Sequence, residues 1–418
     1  MSQRVMLVLP TATYRATAFL RAAERLGLDC VVASDEAPTL AALMEGRVLT
    51  LDLGDPQRAA VRAATFAAQW PVDAIIGVDE ASVLTAAHLA TALGIARNPI
   101  EAVGATRDKR RLRARLDEAS VRQPRWVEAR GDATGSAAAH AAAAVGLPCV
   151  VKPVNLAASR GVIRADTGAE LAAAVIRVDR LLRRPGLCGP DGDPPLLIEE
   201  FIAGAEIAIE GLLSGGELTV LAVFDKPDPL DGPFFAETLY VTPSRHDPAM
   251  LDDAVAVTRE ALHALGLVDG PIHAELRLAA SGAVFLEVAA RSIGGRCSSA
   301  LRILDGEHEM SLEELILRHA LGMPLGRPGL APGGAGVLML PVPSAGVLHR
   351  VSGAREAAAV PGVTAVDLTI PVGQAVESLP EGDRYLGFVV ARGPDAASVE
   401  ESLRCAQRLI GVEVAVHR

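Results

Sequence analysis

The chain has 418 residues, and at roughly 150 residues per domain that length fits about three domains better than one core. Half of the residues are hydrophobic but only 3% are aromatic (8 Phe, 3 Tyr, 2 Trp), so the apolar content is Ala, Val and Leu: material for helices packed on a buried sheet, with few rings to stack nucleic-acid bases. Forty Lys plus Arg against 51 Asp plus Glu leave a net charge of -11, which excludes any global electrostatic attraction to nucleic acid or an anionic membrane.

The opening MSQRVMLVLPTATYR has an apolar run too short for a secretory signal and leads straight into a fold pattern. Residues 4–9 predict a strand, 16–26 an amphipathic helix and CVVAS a second strand, an order that implies a parallel sheet. DAIIGVDE predicts another strand, and 81–93 a helix ended by Gly94. The first hundred or so residues therefore read as a small doubly wound α/β domain. It lacks GxGxxG after the first strand, which disfavours a nicotinamide dinucleotide.

TRDKRRLRARL (106–116) predicts a basic helix, followed by an Ala-rich helix and the strand LPCVVKPV. The mean hydropathy of +0.29 raises the question of a membrane span. The nearest candidate, residues 136–151, is cut by His140, Gly146 and Pro148 and falls short of about 18 uninterrupted apolar residues. After a Gly/Pro/Asp loop at 185–195, LLIEEFIAGAEIAIEGLL alternates like a strand pair. TVLAVFDK, a helix over 251–265, and the strands IHAELRL and AVFLEV, joined as a hairpin by AASG, come next. A Pro/Gly-rich linker at 326–336 precedes a last α+β segment. The five cysteines (Cys30, Cys149, Cys188, Cys297, Cys405) are far apart, odd in number and without CxxC, as expected of reduced thiols in a cytoplasmic protein.

Polar residues inside apolar strands are the chemical signal. Alternation puts His273, Glu275 and Arg277 on one face of their strand. Glu287 sits among Val284, Phe285, Leu286 and Val288, where an uncompensated carboxylate costs several kcal/mol. Two carboxylates on adjacent strands suit Mg²⁺; the alternative is an ion pair, for example with Arg277. Arg291, before the turn Ser292-Ile293-Gly294-Gly295, reaches toward an anion or is a plain surface arginine. Lys152 in an apolar strand calls for an anion, of which phosphate is the usual one, or else snorkels from an edge beside Pro153. The small-residue loop 155–161 suits a phosphate cover. Glu199-Glu200, Phe201-Ile202, Gly204 and Glu206 fit an adenine and its ribose, or are solvated turn residues.

In this order and spacing the set resembles the ATP-grasp superfamily of carboxylate-amine ligases over nearly the whole chain. The resemblance implies a Rossmann-like α/β domain over 1–105, an ATP-grasp domain over 106–325 in two α+β halves (about 106–190 and 196–325), and an α+β domain over 330–418. It implies that Lys109 and Lys152 hold ATP phosphates, with Lys152 also near the adenine, that Ser159 is among the ATP-binding residues, that Glu199 and Glu200 with the Phe201-Ile202 backbone meet the adenine, and Glu206 the ribose. Glu275 and Glu287 would hold two Mg²⁺ ions, with Mn²⁺ also compatible, and Arg291 would stabilise the acyl phosphate and tetrahedral intermediate. The superfamily's usual Glu-x-Asn-x-Arg is here Glu287-Val288-Ala289-Ala290-Arg291, which lacks a third metal-contacting side chain. That departure resembles the L-amino-acid ligases of the bacilysin-synthetase (dipeptide synthetase) type, as do Gly77-Val78-Asp79-Glu80 and Phe235-Ala236-Glu237-Thr238-Leu239-Tyr240. By that likeness Glu80 and Glu237 would bind an ammonium group and Tyr240 a carboxylate or amide. Gly295, where those ligases carry a bulky residue, implies a roomier or different second-substrate pocket.

The expected activity is ATP-dependent joining of a small-molecule carboxylate to an amine through an acyl phosphate, releasing ADP and phosphate. The partners are those substrates, with no nucleic acid and no membrane; homodimers are common in the family. The rival readings are an ATP-grasp carboxylase or purine-pathway ligase, and a nucleotide-binding protein without turnover.

Overall fold

The computed structural model describes residues 2–37, 44, 46–130, 136–187 and 194–415. Four parallel strands open the chain, side by side in the order Val48–Thr50, Asp29–Ser34, Arg4–Val8, Ala74–Gly77. The run Val5 to Val8 is fully buried, as befits a strand covered on both faces by the helices Ala16–Arg25, Pro56–Gln69 and Val83–Ala92. The apolar pattern located the first two strands, the strand Ala74–Gly77 and two of these helices. The strand Val48–Thr50 and the helix Pro56–Gln69 are additional, the latter started by Pro56 and by the Asp55 carboxylate accepting from Arg58 N.

The basic segment forms two helices, Ile100–Arg107 and Lys109–Glu118, instead of one. Asp108 separates them because its carboxylate caps the second, accepting from the backbone N–H of Arg110 and Arg111. The break puts Lys109 in a first helical turn.

A four-stranded antiparallel sheet follows, in the order Trp126–Arg130, Pro195–Glu200, Cys149–Pro153, Ile163–Ala165. The helices Ser136–Val145 and Gly168–Leu182 cover it, and Val151, Ile198, Leu171 and Val175 fill the space between. Cys188 and part of the 185–195 loop lie outside the described residues. Cys30, Cys149, Cys297 and Cys405 are free thiols.

The remainder is organised on one eight-stranded antiparallel sheet, in the order Gly282–Ala289, Gly270–Ala279, Ala205–Ser214, Glu217–Asp225, Leu239–Thr242, Gly334–Leu340, Gly387–Gly393, Val363–Leu368. Three of its strands come from beyond residue 330, so the sheet continues across the Pro/Gly-rich stretch; the short strand Gly329–Leu330 in that stretch belongs to a separate three-stranded sheet with Ile303–Asp305 and His308–Met310, and Gly346–Ser352, Ala375–Val376 and Gly411–Ala415 form another. The alternating segment 196–213 is not a strand pair. Pro195–Glu200 belongs to the small sheet and Ala205–Ser214 to the large one, so the link 201–204 bridges the two layers. At Gly204 (φ +131°) a Cβ would stand 2.2 Å from Leu278 O, and only glycine allows that approach. Among the described residues no helix is long and apolar enough to cross a membrane.

Candidate active site

The two sheets flank a cleft of about 780 Å³ that is partly open to solvent. Lys109, Lys152, Ser159, Glu199, Glu200, Phe201, Ile202, Glu206, Glu237, Glu275 and Glu287 all line it, drawn from segments spread over nearly 180 residues. Tyr240, Arg291, Gly295 and Glu80 do not.

On the small-sheet side, Lys152 Nζ lies 2.5 Å from Glu199 Oε2. Arg113 grips the same carboxylate from the helix Lys109–Glu118, donating from Nε (2.8 Å) and Nη2 (3.1 Å), and also donates to Leu286 O. Burial pulls the Glu199 carboxyl upward, but Arg113 and Lys152 outweigh it and hold the pKa at about 2. The Lys152 ammonium is held down by its burial despite Glu199. The Glu199 carboxylate, expected at the adenine, is thus committed to the buried cations; Glu200 pairs with Arg125 at 3.0 Å. Phe201 is flanked by the guanidinium groups of Arg164 (4.1 Å from the ring centre) and Arg277 (5.6 Å), and stands beside Phe235. Ser159 sits in a left-handed backbone conformation (φ 56°), as does Ala158, in a loop tied to Lys109 by Nζ donating to Leu156 O at 2.9 Å.

On the large-sheet side, the register sets Arg277 opposite Glu206, His273 opposite Glu210, and Glu275 opposite Glu287. The polar face of His273, Glu275 and Arg277 is therefore real. Arg277 pairs with Glu206 (3.0 Å) and not with either proposed metal ligand. A bulge at Glu275/Leu276 turns the Glu287 side chain outward, 43% exposed and 3.3 Å from Lys109 Nζ. The apolar neighbours of Glu287 suggested a desolvated carboxylate; the bulge removes that cost and leaves the group facing the cavity.

Lys226 was not singled out from the sequence. Only 2% exposed, its Nζ lies 2.7 Å from Glu206, 2.8 Å from Glu237 and 3.2 Å from Glu275. Burial would lower its pKa, but the three carboxylates raise it well above the ordinary lysine value. Glu275 is correspondingly held far below the usual carboxylate range, burial being overcome by Lys226 and His273. The signal was present: a lysine ending the apolar strand TVLAVFD, the same anomaly that marked Lys152. Tyr240 donates to Glu237 at 2.5 Å, its own hydroxyl pushed well up by burial and by Glu237.

Glu80, from the N-terminal sheet, is bridged by Arg291 Nε (2.7 Å) and Arg107 Nη1 (2.7 Å). Both carboxylate oxygens are engaged, so an arginine pair stands where a substrate ammonium was expected. At Gly295 (φ +58°) a Cβ would fall 2.1 Å from Met339 Cε. The extra room expected there is filled by methionine from the strand Gly334–Leu340.

Two sheets face each other across a lysine- and glutamate-lined cleft, and the chain has the ATP-grasp fold. Residues 145–300 match the model of the ATP-grasp domain, 20–96 that of the ATP-grasp N-terminal domain, and 338–415 that of L-amino acid ligase C-terminal domain 2. The chain is similar to the L-amino acid ligase of Bacillus licheniformis (TM-score 0.83, 25% identity, 99% of each chain). It is 28% identical to alanine–anticapsin ligase of Bacillus subtilis over 244 residues, 54% of this chain and 50% of that protein. The carboxyaminoimidazole ribonucleotide synthase of Aspergillus clavatus, complexed with ATP, shares the fold (TM-score 0.72, 16% identity, 98% of each chain). The chain spans about half the length of the curated relatives it matches.

Proposed function

We propose that this chain is an ATP-dependent ligase that joins a carboxylate to an amine, both carried by amino acids, through an acyl phosphate, releasing ADP and phosphate. One observation carries the reading: the ammonium groups of Lys109 and Lys152 and the facing pair Glu275 and Glu287 line one cleft between two sheets, with buried Lys226 held behind its walls Glu206, Glu237 and Glu275.

A carboxylate resists amines because it repels nucleophiles and has no leaving group. Phosphorylation by ATP supplies one. The donor set at Glu275 and Glu287 is all carboxylate oxygen, at present neutralised by lysines, and it fits a hard divalent cation. Mg²⁺ held there supplies charge neutralisation to the β- and γ-phosphates when bound. The protein's own groups do the rest. Lys152, fixed by Glu199, and Lys109, at the phosphate-cover loop, present positive charge to the polyphosphate. Lys226 is locked among three carboxylates with its charge retained, beside the Glu275 end of the site. Phe201, Phe235 and Leu286 wall the base. The substrate carboxylate oxygen bonds to the γ-phosphorus as the bond to ADP breaks. The amine nitrogen then bonds to the acyl carbon, the carbon–oxygen bond to phosphate breaks, phosphate leaves with the electron pair, and the amine proton passes to solvent. Arg291 is oriented by Glu80 to meet the oxyanion.

The carboxylase and purine-ligase rivals share the fold; the match of residues 338–415 to L-amino acid ligase C-terminal domain 2 favours the amino-acid ligase reading over them. A screen of amino-acid pairs for ADP release with MgATP, with products read by mass spectrometry, tests the proposal. Release that depends on bicarbonate, or none with any pair, overturns it.

A further inference from the structure

Arg15 is 5% exposed, yet among the described residues no carboxylate lies within ion-pair distance of it. Its guanidinium instead donates from Nη1 to Val78 O (2.7 Å) and Ser292 O (3.1 Å), and from Nη2 to Ser292 Oγ. Burying a cation on two carbonyls and a hydroxyl is expensive, and Arg291 close by adds like-charge repulsion; burial and Arg291 lower the Arg15 pKa by more than Asp79 and Glu313 raise it. So costly an arrangement calls for a function.

Its geometry supplies one. Ser292 O also accepts from Arg291 Nη1 (2.9 Å), so one carbonyl oxygen carries two guanidinium groups from opposite sides of the joint. The other carbonyl on Arg15, Val78 O, lies two residues before Glu80, which orients Arg291 through Nε. Tyr14 accepts from Gly295 N at 2.7 Å, and Glu210 accepts from Ile293 N at 3.0 Å. The turn after Arg291 is thus held mainly by residues from the N-terminal end of the chain.

We propose that Arg15 is a positioning residue for Arg291: by tying the Val78 and Ser292 carbonyls together it fixes the Glu80 carboxylate against the Arg291 guanidinium. Docking of the N-terminal sheet, more than the strand Gly282–Ala289 that leads to Arg291, then sets the arginine that meets the oxyanion. The forked guanidinium spans two carbonyls and a hydroxyl, which a single lysine ammonium at the end of a flexible stem does not reproduce. This inference rests on the ligase reading.

The test is steady-state kinetics of the full chain, with each amino acid and ATP varied separately, on Arg15→Met, Arg15→Lys and Ser292→Ala. A misplaced catalytic group costs about 100-fold in turnover. Arg15→Met is expected to lose about that much kcat while KM for ATP and for both amino acids stays within about twofold. Arg15→Lys is expected to recover only a minor part. Ser292→Ala, which removes a single contact and keeps the fold, is expected to fall between wild type and Arg15→Met. Unchanged kcat per folded molecule in Arg15→Met overturns the inference, as does full recovery by lysine, which would make charge alone sufficient. If Arg15→Met does not fold, Ser292→Ala decides: wild-type kcat in that variant overturns the inference. Wild-type protein that releases no ADP with any amino-acid pair overturns the ligase reading, and the inference with it. Turnover by wild type with kcat retained in the variants overturns the inference alone.

Discussion

Lys226 Nζ lies 2.7 Å from Glu206 Oε1 and serves as the common counter-ion of Glu206, Glu237 and Glu275. Removing it leaves three carboxylates facing one another in a site with little solvent, and breaking a buried ion pair costs about 3–5 kcal/mol. Lys226→Met is therefore expected to lower the unfolding free energy by about that amount and to abolish ADP release. Urea unfolding and an ADP-release assay check it. Wild-type stability in the variant would show that the cluster is neutralised in another way.

Glu287 presents the opposite case. Its carboxylate is 43% exposed and its ion pair with Lys109 is screened, so Glu287→Gln leaves no buried charge behind. Stability should stay within about 0.5 kcal/mol of wild type, while turnover falls by at least about 100-fold for loss of a charge at the phosphates. Calorimetry paired with ADP release separates the two effects, and near-normal turnover would remove Glu287 from the metal site. Glu275→Gln, by contrast, strips a partner from Lys226 and should cost stability as well as activity.

The contrast between these two glutamates shows how far a sequence can be read. Lys152, Glu275 and Glu287 stood out because a polar residue inside an apolar strand is locally anomalous, and the first strands and helices were legible from apolar periodicity. Lys226 carried the same signal, but at a strand end, where lysines are common. Asp108 looked like one more polar residue in a basic helix, since capping depends on backbone geometry that composition does not display. The bulge that exposes Glu287 is a property of strand pairing. Glu80 with Arg291, and Arg15 with Ser292, join positions 211 and 277 residues apart, and no local pattern encodes a partner so distant.

Glu199 makes stability depend on pH in a defined window. Its folded pKa of about 2 lies below the ordinary glutamate value of 4.5, so the folded state binds its proton less readily than the unfolded state does. The stabilisation is fully present above pH 4.5 and is lost as the pH falls toward 2. At 1.36 kcal/mol per pKa unit the contribution is about 3 kcal/mol. The stability difference between wild type and Glu199→Gln should be constant from pH 7 to about 5.5 and shrink by about that amount at lower pH, as urea unfolding at each pH would show. A difference that does not vary with pH would mean that the Arg113 and Lys152 contacts leave the carboxyl unperturbed.

Gly295 and Met339 should behave as one unit. The Cβ of an alanine at 295 would enter the space of Met339 Cε, and the left-handed backbone at φ +58° adds about 1–2 kcal/mol of strain for a residue with a side chain. Gly295→Ala is thus expected to destabilise by about 2–4 kcal/mol, overpacking included. Met339→Ala, which empties a site only 3% exposed, should cost about 2–5 kcal/mol. The double variant should be more stable than the sum of the two losses predicts, because the new methyl occupies part of the space the methionine leaves. Neighbours that share a cavity typically show coupling of about 0.5–3 kcal/mol, and the cycle should return a value in that range. Strict additivity would show that Met339 moves aside freely, and the space beside Gly295 would then be available to a substrate side chain after all.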